Sequence, residues 1–149
     1  MMPEYVERLL PTSDLNPVDF YFANAMTKIK KAVEVADISR IKVVTDNLGY
    51  AMYMARTPIP YPKASSDFDY MKFVGIQCFS RSALLFCKDN KRGKIESIED
   101  IDEYRFWKTE KKIKFVEIPA ETLSVDTQAD VKIVTEVLER RIKNKEIVL

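Results

Sequence analysis

Ile41-Lys42-Val43-Val44-Thr45-Asp46-Asn47-Leu48-Gly49-Tyr50-Ala51-Met52-Tyr53-Met54 reads as strand, turn, strand. β-Branched residues fill the first arm, Tyr and Met the second, and Asp46-Asn47-Leu48-Gly49 carries turn chemistry between them. Antiparallel pairing is therefore expected in the middle of the chain. Just after it, Arg56-Thr57-Pro58-Ile59-Pro60-Tyr61-Pro62 has three prolines at alternate positions. That spacing forbids a helix and imposes an extended path.

Working outward, Tyr70 to Phe79 is strongly β, with Gly75 placed for a bulge or a close backbone approach. Val18 to Ala25 is an apolar run short enough for a buried strand, and Lys112 to Ile118 reads as another. Helices are expected at Pro3–Leu10, over part of Lys28–Ala36, and from Ser80 or Ser82 to Phe86. Ser97 and Asp100 form a capping-box-like pair that would open a helix from Ile98 to about Lys108. A last helix runs to about Lys143, with Val131, Val134, Leu138 and Ile142 as its apolar stripe. Strands and helices mixed in this way predict an α/β fold, a mixed sheet with flanking helices, over residues 1–149.

The totals exclude several function classes. The chain of 149 residues holds 24 basic and 23 acidic residues, a formal charge of +1, so no global field recruits nucleic acid or a membrane surface. No apolar run approaches the roughly 18 residues of a membrane-spanning helix. There is no histidine, which removes His-activated nucleophiles and His-based zinc sites. The glycines are Gly49, Gly75 and Gly93, and no window matches GxxxxGK[ST] or GxGxxG. Cys78 and Cys87 do not make a disulfide framework; they read as small buried hydrophobes in a reduced, cytoplasmic protein. The Lys28-Lys30-Lys31 and Lys88-Lys91-Arg92-Lys94 clusters read as solvated surface.

Ser124-Val125-Asp126-Thr127-Gln128-Ala129-Asp130 is the stretch richest in chemistry. Thr127 suits an N-cap, with Asp130 three residues on. Asp126 is not needed for that cap and would stand just beyond the carboxyl end of a strand, where open α/β sheets bind ligands. A carboxylate there is a candidate hard-metal ligand, or simply a polar residue before a cap. Arg56, on its rigid proline support, could clamp a carboxylate in bidentate fashion or make a strand-end ion pair.

Several stretches, in order, resemble the C-terminal half of the CMP-Kdo synthetase group of sugar cytidylyltransferases. The Ile41–Tyr53 hairpin is similar to that family's KVV-x-D…G-x-A-x-Y. Arg56-Thr57-Pro58-Ile59-Pro60 is similar to its S-R-x-x-I-P, with Ala55 in place of the serine. Lys72 to Phe79 resembles its H-x-G-I-Y-x-Y strand, Ile101 to Ile113 its L-E-Q-L-R…I helix and strand, and Ser124 to Asp130 its V-D-T-P-E-D ending. The likeness covers roughly Pro3 to Arg140. It implies transfer of CMP from CTP to a keto sugar acid with magnesium, in nucleotide-sugar synthesis for surface polysaccharide, by a homodimer. It also implies that Asp126 is the second magnesium carboxylate. Arg56, Gln77, Asp102 and Glu103 would be substrate-binding residues, with Asp102-Glu103 at the family's Glu-Gln pair. The family's basic, Ser-rich loop and acidic G-D-E-P segment do not occur here. The chain is therefore expected to be a partial domain, the sugar-binding and dimerisation half, inactive by itself. Phe73, Gln77 and Phe79 replace the family's His and two Tyr, which keeps a second reading open: a diverged, non-catalytic binding or dimerisation module.

Overall fold

The computed structural model describes residues 3–12, 19–119 and 128–144. The chain divides into two compact units, Met1–Pro119 and Ala120–Leu149. The first unit carries α1 (Pro3–Leu9), β1 (Phe22–Lys28), α2 (Ala32–Ala36), β2 (Lys42–Thr45), β3 (Ala51–Ala55), β4 (Met71–Phe79), α3 (Arg81–Asp89), α4 (Lys94–Glu99), α5 (Tyr104–Trp107) and β5 (Lys114–Glu117). The second carries α6 (Gln128–Lys143), which contains the expected apolar stripe at Val131, Val134, Leu138 and Ile142.

The sheet has the order β3-β2-β4-β1-β5. β2 and β3 form the hairpin foreseen from their sequence, with Val43 opposite Met54 and Val44 opposite Tyr53. β4 runs antiparallel to both β2 and β1, while β5 runs parallel to β1, so the sheet is mixed. The hairpin also reaches the far edge. Phe115 N–H donates to Gly49 O at 2.7 Å, and Ala51 N–H to Ile113 O at 2.9 Å. The end of the turn and the first residue of β3 thus cover part of β5, a strand that would otherwise present open backbone groups. Gly49 permits this approach: its φ is +78°, and a Cβ there would lie 3.1 Å from Phe115 O.

β4 carries the bulge expected at Gly75. Asn24 faces Gln77 and Met26 faces Phe73, so two steps of β1 oppose four of β4. Because the insertion is even, Phe73, Gln77 and Phe79 keep to the face that carries Met26, Asn24 and Phe22. Gly75 has φ +77° and nothing within 4 Å of an added Cβ, so the residue answers to backbone conformation alone.

That face holds the main core. Phe22 stacks on Phe79 at 4.2 Å between ring centroids, and Phe106 of α5 lies 4.5 Å from Phe22 and 5.4 Å from Phe86. Phe73 and Phe79, partly buried, pack against this cluster. Ser80 caps α3 by accepting the Ala83 N–H at 3.2 Å.

Several boundaries differ from the sequence-based expectations. β1 begins at Phe22 and runs through Thr27 and Lys28, because ladder pairing continues past the apolar run; α2 accordingly starts only at Ala32. The single helix expected from Ile98 to Lys108 is two short helices. Gly93, not Ser97, starts the first: the Glu96 carboxylate accepts the Gly93 N–H at 3.1 Å, and Ser97 Oγ bonds back to Gly93 O. Asp100, at φ 53°, ends it in the left-handed region.

Candidate functional site

Phe106 and Tyr104 anchor α5 over β1 and β4; Tyr104 also donates its hydroxyl to Met54 O. Anchored so, α5 brings Glu103, one residue before its start, down onto the sheet. Glu103 is 3% exposed. Its Oε1 accepts from Asn24 Nδ2 and from Gln77 Nε2, each at 2.8 Å. Asn24 and Gln77 are the cross-strand pair of β1 and β4, so the sheet register itself sets the two amides side by side.

Burial pushes the Glu103 carboxyl above the usual glutamate range, and the hydrogen bonds from Gln77 and Asn24 oppose that shift. The Asn24 amide is oriented by donating to Glu103, which leaves its Oδ1 buried and without a hydrogen-bond partner among the described residues. A buried acceptor in that state costs about 1–3 kcal/mol. Gln77 is the exposed member of the group, the side from which a ligand rich in hydroxyl or amino donors would reach it.

Asp102 and Glu103, adjacent in the chain, part company here. The Asp102 side chain is 71% exposed and stands 3.7 Å from Arg105 and 3.8 Å from Arg92. Glu103 does not lie on a helix surface at all. Arg56 lies at the end of β3 and grips the chain leading to Asp102: Nε donates to Glu99 O at 2.7 Å, Nη1 to Ile38 O at 3.1 Å and Nη2 to Asp100 O at 3.2 Å. One N–H remains on each terminal nitrogen. Asp126 lies outside the described residues. Among the described residues no group of three acidic or cysteine side chains is arranged to hold a metal ion.

Two polar residues escaped the sequence reading. Asn24 is fully buried, and its signal was a lone amide inside Phe20-Tyr21-Phe22-Ala23-Asn24-Ala25-Met26. Glu96, also fully buried, binds the Arg105 guanidinium, the Gly93 N–H and Arg92 Nε. Burial pushes the Glu96 carboxyl up, but hydrogen bonds from Arg105 and Gly93 outweigh it and hold it below the usual range. Arg105 also donates to Cys87 O at 3.1 Å, which ties α3, α4 and α5 together.

A mixed sheet covered by short helices, with a polar group set into its aromatic face, has the architecture of nucleotide-sugar transferases. Among solved structures, the CMP:2-keto-3-deoxy-manno-octonic acid synthetase complexed with CTP superposes with a TM-score of 0.74 at 29% identity, over 81% of this chain and 50% of that one. The sequence model of the cytidylyltransferases (Cytidylyltransferase) matches residues 3–113, and this chain belongs to that family. The Arabidopsis thaliana mitochondrial 3-deoxy-manno-octulosonate cytidylyltransferase is 30% identical over 142 residues, 93% of this chain and 48% of the relative. The Shewanella halifaxensis 8-amino-3,8-dideoxy-manno-octulosonate cytidylyltransferase is 28% identical over 88% of this chain and 54% of its own length. The Fusobacterium nucleatum 3-deoxy-manno-octulosonate cytidylyltransferase is 28% identical over 94% and 57%. The chain thus spans about half the length of the curated relatives it matches. Among the described residues no helix is long and apolar enough to cross a membrane.

Proposed function

We propose that this chain supplies the sugar-binding half of a cytidylyltransferase that moves CMP from CTP to a keto sugar acid, for surface polysaccharide. The observation that carries this is the Asn24–Glu103–Gln77 group, buried at Asn24 and Glu103 and exposed at Gln77, with Gln77 and Glu103 at the strand and helix positions where the family resemblance puts sugar contacts. Relatives named for 3-deoxy-manno-octulosonate and for its 8-amino counterpart support an acidic, donor-rich sugar as the ligand. Glu103 and Gln77 receive the sugar, with Asp102 at the solvent side. The remaining N–H groups of Arg56 meet its carboxylate.

In the reaction, a sugar hydroxyl oxygen bonds to the α-phosphorus of CTP while the bond to pyrophosphate breaks; the hydroxyl proton goes to solvent. Asp126 is the proposed magnesium carboxylate. The described residues do not themselves make a magnesium site. One carboxylate without substrate phosphates is a weak magnesium ligand set. The nucleotide-binding residues of the family are not in this sequence, so turnover needs them supplied in addition. We place the protein in the cytoplasm, in keeping with its two free cysteines, and as a homodimer.

The test is saturation-transfer NMR on this chain with 3-deoxy-manno-octulosonate and its 8-amino analogue. One of them binds, and Glu103→Gln weakens it about tenfold, the scale of one lost charge-assisted bond. Absence of binding by both sinks the proposal. A second reading, a non-catalytic module, is favoured by the packing of the partly buried Phe73 and Phe79 against the core. It predicts no sugar binding and an intact dimer in sedimentation equilibrium.

A further inference from the structure

A cavity of about 490 Å³ lies where β1 and β5 begin. Its walls include Phe20 and Phe22 of the β1 entry, Tyr50 of the hairpin, Lys112 and Lys114 of the β5 entry, and Arg8 of α1. Asn24, Gln77 and Glu103 do not line it; Lys114 and Val116, which do, alternate along β5 with Phe115, the register partner of Asn24, so the cavity is on the opposite face of the sheet from the proposed sugar site. Its size is within the range of small-molecule sites.

Among the described residues, three cations line it and no Asp or Glu does. The Lys112 and Lys114 ammonium groups both lie over the Tyr50 ring, at 5.2 and 5.0 Å from its centroid. One ring face satisfies a cation only partly, and two like charges drawn to the same ring repel each other. An anion between them and Arg8 removes that repulsion. The walls are also held in place. The Phe115–Gly49 and Ala51–Ile113 backbone bonds lock the hairpin to β5, and Lys114 donates to Leu48 O. A site fixed before binding does not spend affinity on ordering.

We propose that this cavity binds a small aromatic phosphate. The phosphate sits among Arg8, Lys112 and Lys114, where a doubly charged group matches several cations and the guanidinium can hold two oxygens at once. The ring lies against Phe20, Phe22 and Tyr50, in stacked or edge contact.

Amide-detected NMR titration of the full chain tests this with phenyl phosphate, inorganic phosphate and phenol as separate probes. Phenyl phosphate shifts the amides of Tyr50, Lys112 and Lys114 and binds at least about tenfold more tightly than either fragment, with Kd rising with salt. Arg8→Glu and Lys112→Glu each weaken it about tenfold or more. Neither side chain makes a hydrogen bond among the described residues, and circular dichroism verifies each fold. The salt response of the unmodified chain reads the charge contribution even where a variant unfolds. Inorganic phosphate binding as tightly as phenyl phosphate, shifts confined to other residues, a salt-independent Kd, or folded variants that bind unchanged would each overturn the proposal.

Discussion

Two buried glutamates face opposite electrostatic situations. Glu103 is buried against neutral amides, so its carboxyl is raised; Glu96 is buried against guanidinium groups, so its carboxyl is lowered. The pH consequences have opposite signs. A raised folded value means that Glu103 favours the fold at low pH. That advantage is lost as pH rises from the ordinary glutamate value of about 4.3 through the folded value. Relative to wild type, Glu103→Gln therefore gains stability with increasing pH, read as the urea midpoint between about pH 4 and 7. A difference between the two proteins that is flat across that range contradicts the assignment. Glu96 works in reverse: its contribution is present above the unfolded value and lost as pH falls through the lower folded value. Glu96→Ala takes from Arg105 its buried carboxylate partner, leaving it the Cys87 carbonyl and the exposed Asp102, and lowers stability by about 3 kcal/mol at neutral pH, measured by urea unfolding. Neither glutamate was separable from its neighbours by composition. Asp102-Glu103 is one acidic pair in the sequence, and only the anchoring of Phe106 decides which member is buried.

Among the elements, the hairpin and the bulge were the most legible. Strand-turn-strand composition located β2 and β3, and a lone glycine in a β run located the irregularity in β4. The two glycines are not equivalent, however. Both have positive φ, but only Gly49 is pressed against another strand. Gly75→Ala carries the left-handed backbone penalty, about 1 kcal/mol, whereas Gly49→Ala adds a clash with Phe115 O and exceeds it. Urea unfolding of the two variants ranks them. Hydrogen exchange at the Phe115 amide, bonded to Gly49 O, speeds up in Gly49→Ala alone; equal effects would show that the β3–β5 closure is not held by that turn. The helix expected from Ile98 to Lys108 failed for an identifiable reason. Ser97 and Asp100 have cap chemistry, but Glu96 reaches a buried position only if the helix starts at Gly93, and that burial with Arg105 overrides the local signal.

At the scale of the whole molecule, the family and the span of its relatives frame what activity to expect. Incubating this chain with CTP, magnesium and a keto sugar acid yields no pyrophosphate in a coupled phosphate assay, and calorimetry finds no tight magnesium binding without nucleotide. Pyrophosphate release by the chain alone would refute the requirement for further nucleotide-binding residues. The polypeptide by itself determined the mixed α/β class, the hairpin, the bulge position and the family, because each rests on local periodicity, turn chemistry or short ordered motifs. It also placed Glu103 and Gln77 at positions matching the family's sugar-contact motifs. Only the tertiary structure decided that Asn24 joins them, that Asp102 stays in solvent and that Arg56 bonds three carbonyls. Only it gathered Arg8, Tyr50, Lys112 and Lys114 around one cavity. These are pairings between residues far apart in sequence, set by strand register and by aromatic anchors, and no local pattern encodes how separate elements meet.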